Sequence, residues 1–203
     1  MGSTFFRSAL FASLLIVGLT PLAGADTTSA LQAFRSGDYA TAKQGFEAAA
    51  EAGDPAAQYW LGHMYAEGIG VAKDDDVAAR WMSKSANGGD IKAMRDLGIM
   101  YLNGDGVLQD YALAKEWLEK AAFNNDTVAQ RYLGTIYAEG LGVPEDKSKA
   151  YVWFDFAARG GDEQAVKKRD ALAKTMAPQE LDNAQAFSET IKSEILNVPS
   201  GSN

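Results

Sequence analysis

The sequence predicts an all-α protein in which antiparallel helix pairs stack into a right-handed solenoid. Two observations support this prediction. The first is a repeat of 36 residues, seen in the dipeptides Leu61-Gly62, Leu97-Gly98 and Leu133-Gly134. The second is a helical spacing of apolar residues within each repeat, as at Ala57, Leu61 and Tyr65. Because one helix pair cannot bury its apolar stripes alone, pairs that recur at a fixed period are expected to stack.

Residues 1–25 are interpreted as a cleavable signal peptide. Arg7 precedes the apolar run at residues 9–19, and Ala23 and Ala25 supply the small residues of a cleavage site. The apolar run is shorter than the ~20 residues that a membrane span needs. We therefore expect cleavage after Ala25, no stable membrane anchor afterwards, and a periplasmic or secreted mature chain.

Residues 26–56 are predicted to form a partial first repeat. Gly37-Asp38 indicates a turn between two helical segments, and Phe46 takes roughly the place of a tryptophan in the later repeats. An incomplete repeat is typical of the end of a solenoid, where one face has no neighbour.

Three full repeats are predicted at residues 57–92, 93–128 and 129–164. In each, a first helix (A) is followed by a loop with two glycines and then by a second helix (B). Gly62 lies beside the apolar stripe of helix A, where the missing side chain would let a neighbouring helix approach closely. Helix B carries one tryptophan per repeat, which we assign to the core: Trp81, Trp117 and Trp153.

The predicted C-terminal part consists of capping helices at residues 165–196 and a disordered tail at residues 197–203. Ala165 keeps the register of the repeat, but no Leu-Gly pair follows it. Pro178 suits the start of a helix. The apolar residues after it are spaced as in an amphipathic capping helix: Leu181, Ala184, Phe187, Ile191 and Ile195.

The repeated pattern A-x-x-x-L-G-x-x-Y-x-x-G-x-G-V, followed by an Asp, an Ala and an aromatic residue, resembles the Sel-one-like repeat family. Three copies fit the pattern, at residues 57–90, 93–126 and 129–162. The resemblance implies a solenoid related to tetratricopeptide proteins and an adaptor role, often in exported bacterial proteins. Some cysteine-rich relatives have been linked to penicillin binding or β-lactam hydrolysis, but this chain lacks their cysteine pairs.

Composition argues against several classes of function. The chain has no cysteine, which excludes disulfides, thiol nucleophiles and cysteine metal sites. Its net charge of −8 repels nucleic acid and anionic lipid surfaces. We therefore expect neither nucleic acid nor membrane as a partner.

The glycine loops, such as YAEGIGVAKDD at residues 65–75, are predicted to turn the chain rather than to bind phosphate. A dinucleotide-binding loop needs a third glycine and a preceding strand, and a phosphate loop needs Gly-Lys-Ser/Thr. A calcium-binding EF-hand register fails because it places Tyr101 at the first ligand position. We assign the acids Asp75, Asp110 and Asp146 to the start of helix B, and we predict no cofactor and no metal.

No catalytic motif is recognisable. The only histidine, His63, has no evident nucleophile partner, and both G-x-S-x-G and the β-lactamase motif set are missing. We therefore predict no catalytic residue and a non-enzymatic function. The alternative is a β-lactam- or cell-wall-acting hydrolase like that proposed for the cysteine-rich relatives, since scattered carboxylates leave a two-carboxylate mechanism open.

Partner-binding residues are predicted on the side of the A helices next to the apolar stripe, which would face the concave side of a solenoid. They are Tyr59, His63, Glu67, Arg95, Ile99, Asn103, Arg131, Thr135 and Glu139. Their mixed chemistry suits a peptide groove, although an ordinary solvated face is the alternative. Trp60 adjoins this face as a candidate exposed anchor. We expect a monomeric adaptor or regulator that binds a protein or peptide here.

Overall fold

The computed structural model describes residues 27–196, with side chains described for residues 27–190. The predicted signal peptide and the predicted tail lie outside this range. Within it the secondary structure is entirely helical: α1 (Thr27–Arg35), α2 (Tyr39–Glu51), α3 (Pro55–Glu67), α4 (Asp75–Asn87), α5 (Ile91–Asn103), α6 (Tyr111–Phe123), α7 (Thr127–Glu139), α8 (Lys147–Arg159), α9 (Glu163–Ala173) and α10 (Pro178–Leu196).

The helices α3 to α8 form the three repeats as A–B pairs. Helix A of each repeat (α3, α5 or α7) packs along its helix B (α4, α6 or α8), and each helix B packs against the next helix in the chain. The A helices α5 and α7 also contact each other directly. This arrangement confirms the predicted all-α solenoid.

An aspartate caps the N-terminus of every helix from α2 to α9. Its carboxylate accepts a hydrogen bond from a backbone N–H two or three residues further on, which satisfies a free donor of the first turn. The caps of the A-type helices are Asp54, Asp90, Asp126 and Asp162, and those of the B-type helices are Asp38, Asp74, Asp110 and Asp146. Asp75 is the first residue of α4, as predicted, and its neighbour Asp74 is the N-cap.

The two glycines of each loop have different roles. The first ends helix A in the left-handed conformation, with φ of 84° at Gly104. The second also has a positive φ, and it lies against the start of helix B in the preceding repeat. A Cβ atom on Gly106 would be 2.0 Å from the carbonyl oxygen of Asp75. The loop therefore turns the chain, as predicted, and also holds consecutive repeats together.

The core lies between the A and B helices of successive repeats. Leu61, Leu97 and Leu133 are buried there. The glycine after each leucine allows close helix contact, as predicted; a Cβ on Gly98 would be 2.7 Å from Leu118 Cγ.

The three tryptophans of the B helices pack against the core, as predicted, and are half-buried at its edge. Lys84 Nζ lies 4.0 Å from the centroid of Trp81, and Lys120 Nζ lies 3.9 Å from that of Trp117. Each indole ring thus contacts the core, and a lysine ammonium lies over the ring face at the surface.

The ends of the solenoid differ from the repeats. The loop between α1 and α2 spans only residues 36–38, against 68–74 between α3 and α4. At the other end α10 packs mainly on α8. Leu181 and Ala184 contact the small core there, but Phe187 is 54% exposed, contrary to the predicted apolar stripe. The last two residues of the predicted stripe, Ile191 and Ile195, lie outside the described side chains.

In the described part of the chain, none of the helices combines the length and the apolar character that crossing a bilayer requires.

Candidate partner-binding face

The nine predicted binding residues lie in three equivalent rows on α3, α5 and α7, which we call the A face. Exposure increases along each row. The first position is buried at Tyr59 and half-buried at Arg95 and Arg131. The second position is half-buried and the third is exposed: His63, Ile99 and Thr135, then Glu67, Asn103 and Glu139. The rows therefore present freely accessible side chains mainly at their C-terminal ends.

The two arginines of the A face are tied to the scaffold. Arg95 Nη1 lies 3.1 Å from Asp126 Oδ2, and Arg131 Nε lies 2.8 Å from Asp162 Oδ2. The carboxylates are the N-caps of the next A-type helices, so each arginine joins one repeat to the following one. Sequence reasoning missed this role, although the signal was present as an Arg and an Asp separated by 31 residues in two repeats.

Arg95 is also held by its neighbour in the sequence. Its Nε atom donates to Asp96 Oδ1 over 2.7 Å. Burial opposes the charged guanidinium, but the hydrogen bond and the negative charge of Asp96, together with the charge of Asp126, raise the pKa of Arg95 above its usual range. The arginine is therefore a permanent cation of the junction.

Tyr59 occupies the equivalent position in the first full repeat and is packed among rings. Its ring stacks on His63 at 6.1 Å and meets Trp60 edge-on at 5.5 Å. Burial, aided by the charge of Asp96, raises the pKa of Tyr59 to about 12. The phenol therefore keeps its proton across the physiological range.

Trp60 does not project from the A face as an exposed anchor. It is half-buried, with its ring 5.2 Å from that of Phe34 and 6.2 Å from that of Phe46. Phe34 lies on α1 and Phe46 on α2. The sequence pattern did not predict how these two helices pack against α3. Trp60 thus anchors the N-terminal helices to the first full repeat.

A cavity of about 420 Å³ opens on the A face between α3 and α5. Its apolar wall includes Tyr59 and Trp60, and the start of α5 adds Asp90 and Lys92. Lys92 Nζ lies 5.9 Å from the Tyr59 ring centroid. Because small binding sites span roughly 300–1,000 Å³ and combine apolar walls with a few polar groups, this cavity has the size and chemistry of one.

A second cavity, of about 430 Å³, lies between α8 and α10. Buried Asp155 accepts hydrogen bonds there from Ser188, Arg159 and Arg169, at 2.7, 2.7 and 3.1 Å. Gln185 donates to the Tyr151 hydroxyl over 3.2 Å. Because these groups bind one another, they fasten α10 to the solenoid.

Among the residues that the structure describes, no group of three or more His, Asp or Glu side chains is placed to hold a metal ion. Of the ion pairs described above, Arg95–Asp126, Arg131–Asp162 and Arg169–Asp155 join different helices.

The model of the Sel1 repeat family matches residues 55–90, 91–126 and 127–162. The fold is similar to the crystal structure of a Sel1 repeat protein from Oxalobacter formigenes, with a TM-score of 0.67 and 29% identity over 71% of this chain and 59% of that one. It is also similar to c5321, a protective antigen of uropathogenic Escherichia coli strains with an SLR fold. There the TM-score is 0.51 and the identity 25%, over 88% of this chain and 50% of the antigen. The chain thus spans less than two thirds of either solved protein. No curated protein matches the sequence.

Proposed function

Because the chain belongs to the Sel1 repeat family, whose helical repeats commonly mediate protein–protein interactions, we propose that it is a non-catalytic scaffold. It acts as an adaptor or regulator that binds a protein or peptide partner on the A face. We propose further that the signal peptide at residues 1–25 exports it to the periplasm or beyond, and that the mature chain is a monomer.

The observation that carries this proposal is the cavity between α3 and α5. It places an aromatic wall, a carboxylate and an ammonium group on the face that solenoids commonly use for binding. The exposed ends of the three rows, at Glu67, Asn103 and Glu139, lie at the C-terminal ends of the same A helices in all three repeats. A peptide lying across the C-terminal ends of the three A helices would contact these three side chains.

Site-specific photo-crosslinking in living cells tests the proposal. A photoreactive amino acid is placed at Glu67, Asn103 or Glu139, and the matched controls carry it at the exposed Arg80 and Glu116 of the B helices. We expect a discrete protein adduct from the A-face positions and none from the controls. Absence of adducts from the A face, or equal adducts from both faces, would contradict the assignment.

Two further measurements address the rest of the proposal. Cell fractionation should find the chain outside the cytoplasm and shortened at its N-terminus. Turnover of a β-lactam reporter or of peptidoglycan by the purified protein, lost on His63→Ala, would contradict a non-catalytic role.

A further inference from the structure

The aspartates that cap the A-type helices reveal a break in a regular pattern. The inner oxygen, Oδ1, of each accepts a hydrogen bond from the first turn of its own helix. The outer oxygen, Oδ2, accepts one from a side chain in three cases: Thr27 to Asp54, Arg95 to Asp126, and Arg131 to Asp162. For Asp90, none of the side chains that the structure describes donates to Oδ2.

The break has a clear cause in the sequence. Arg95 and Arg131 each precede their aspartate by 31 residues, and the residue at that distance before Asp90 is Tyr59. Its ring is buried against His63 and Trp60 and does not form the bridge. The cavity of about 420 Å³ lies beside Tyr59 and Asp90, between the two helices that an arginine would have joined.

We propose that this cavity, the Asp90 notch, binds an arginine side chain of the partner protein. The partner would supply the guanidinium that the chain supplies itself in the next two repeats. The inference rests on the proposed function, because it names the chemistry of the partner on the A face.

Three physical features favour an arginine. A carboxylate oxygen without a donor is best satisfied by a charge-assisted hydrogen bond, and a guanidinium is matched to it in shape. Trp60 holds the position in its repeat that Tyr132 holds in a later one, where the Arg131 guanidinium lies 5.0 Å from the Tyr132 ring. The net charge of −8 favours the approach of a basic partner.

Substitution of Lys92 tests whether the ligand is positively or negatively charged. Lys92 is exposed at the rim of the notch. A cationic ligand is repelled by this ammonium group, so Lys92→Ala should tighten its binding, whereas an anionic ligand would bind more weakly to the same variant.

The direct test is an NMR titration of the isotope-labelled full chain with Nα-acetyl-arginine methylamide, and with the lysine analogue as a matched probe. We expect saturable shifts confined to residues 56–60 and 89–92, and binding at least threefold weaker for the lysine probe. Asp90→Asn should weaken arginine binding at least fivefold, and Lys92→Ala should tighten it up to threefold. Asparagine is also a good N-cap, so the variant should keep α5.

Asp126→Asn is the control, because the oxygen it changes is already bound by Arg95. It should lower stability and leave the arginine affinity unchanged. The notch is refuted if the arginine probe causes no shifts at these residues, if Asp90→Asn binds as well as the original chain, or if Lys92→Ala weakens binding.

The notch and the proposed function can fail separately. Adducts from the A face together with a failed titration would leave the scaffold role intact and refute the notch. A successful titration without any A-face adduct would support the notch chemistry and contradict the partner-binding role of the face.

Discussion

Arg131 on α7 donates to Asp162 at the start of α9, with 2.8 Å between Nε and Oδ2. The other oxygen of the same carboxylate accepts from the Ala165 N–H over 2.9 Å. One ionised group therefore starts a helix and joins it to the preceding repeat. Arg95 and Asp126 form the same junction one repeat earlier.

Asp162→Asn should make the free energy of unfolding less dependent on pH in the acid range. Burial alone would raise the pKa of Asp162, but the hydrogen bonds from Arg131 and Ala165 outweigh it and hold this pKa below its usual range. A carboxyl with a lower pKa in the folded state stabilises the fold above its ordinary pKa of about 3.9 and loses this contribution as the pH falls. The free energy of unfolding should therefore fall as the pH drops below about 5, and go on falling until the pH is below the lowered pKa of Asp162.

Urea unfolding followed by circular dichroism at several pH values from 7 to 2.5 measures the effect. Asp162→Asn should be less stable than the original chain at pH 7 and closer to it at pH 2.5. Asp76→Asn, which changes an exposed carboxylate, is the control. Its free energy of unfolding should depend on pH as strongly as that of the original chain. If the free energy of unfolding changed equally with pH in all three proteins, the ionised form of Asp162 would not contribute to the stability of the junction.

Gly106→Ala should destabilise the fold more than Gly104→Ala in the same loop. Both glycines have positive φ, at 65° and 84°, so each alanine costs about 1–2 kcal/mol in backbone strain. At Gly106 the new Cβ would overlap with backbone, 2.0 Å from the Asp75 oxygen, whereas at Gly104 the nearest atom is at an ordinary contact distance of 3.5 Å. This overlap should add about 1–3 kcal/mol.

Chemical denaturation of the two variants measures the difference. Equal losses of stability would mean that the loop of the second repeat does not rest on the first repeat.

Leu97→Ala should cost about 2–5 kcal/mol, as is typical of a leucine in a packed core. Leu97 is only 1% exposed, between the first and second repeats. Leu108→Ala removes the same atoms from a loop residue that is 91% exposed, and should change stability by less than about 0.5 kcal/mol. Thermal unfolding of both variants checks the contrast. A melting temperature of Leu97→Ala equal to that of Leu108→Ala would remove Leu97 from the core.

Much of the fold could be predicted because its requirements are local and recur. A left-handed turn needs Gly68, Gly104 and Gly140, and close helix contact needs Gly62, Gly98 and Gly134. Each requirement selects the same residue type every 36 positions, so the period is visible without a structure.

The candidate site was harder to predict because it depends on which groups meet between repeats. Arg95 and Arg131 occupy variable positions, and only the distance to the next cap shows that they are bound there. The environment of Trp60 depends on α1, which lies outside the regular repeat. The docking of α10 depends on the burial of Asp155; Glu119, the carboxylate at the equivalent position of the second repeat, is partly exposed and pairs with Lys115 instead.

Asp155→Ala should therefore loosen α10 specifically. The substitution leaves Ser188, which is fully buried, without its acceptor, and it removes the carboxylate shared by Arg159 and Arg169. Because both arginines are partly exposed, we expect a cost of about 2–3 kcal/mol rather than that of a fully buried pair. Asp170→Ala is the matched control, since its pair with Arg169 is at the surface and should contribute at most about 1 kcal/mol.

Hydrogen exchange resolved by residue distinguishes local from global loss in these variants. Amides of α10 should exchange faster in Asp155→Ala while those of α3 to α7 keep their protection, because α10 contacts mainly α8. Limited proteolysis should cut near residues 174–177, between α9 and α10. Uniformly faster exchange would mean that the C-terminal helix is part of one cooperative unit with the repeats. Unchanged exchange in α10 would show that its apolar contacts through Leu181 and Ala184 hold it without the charge cluster.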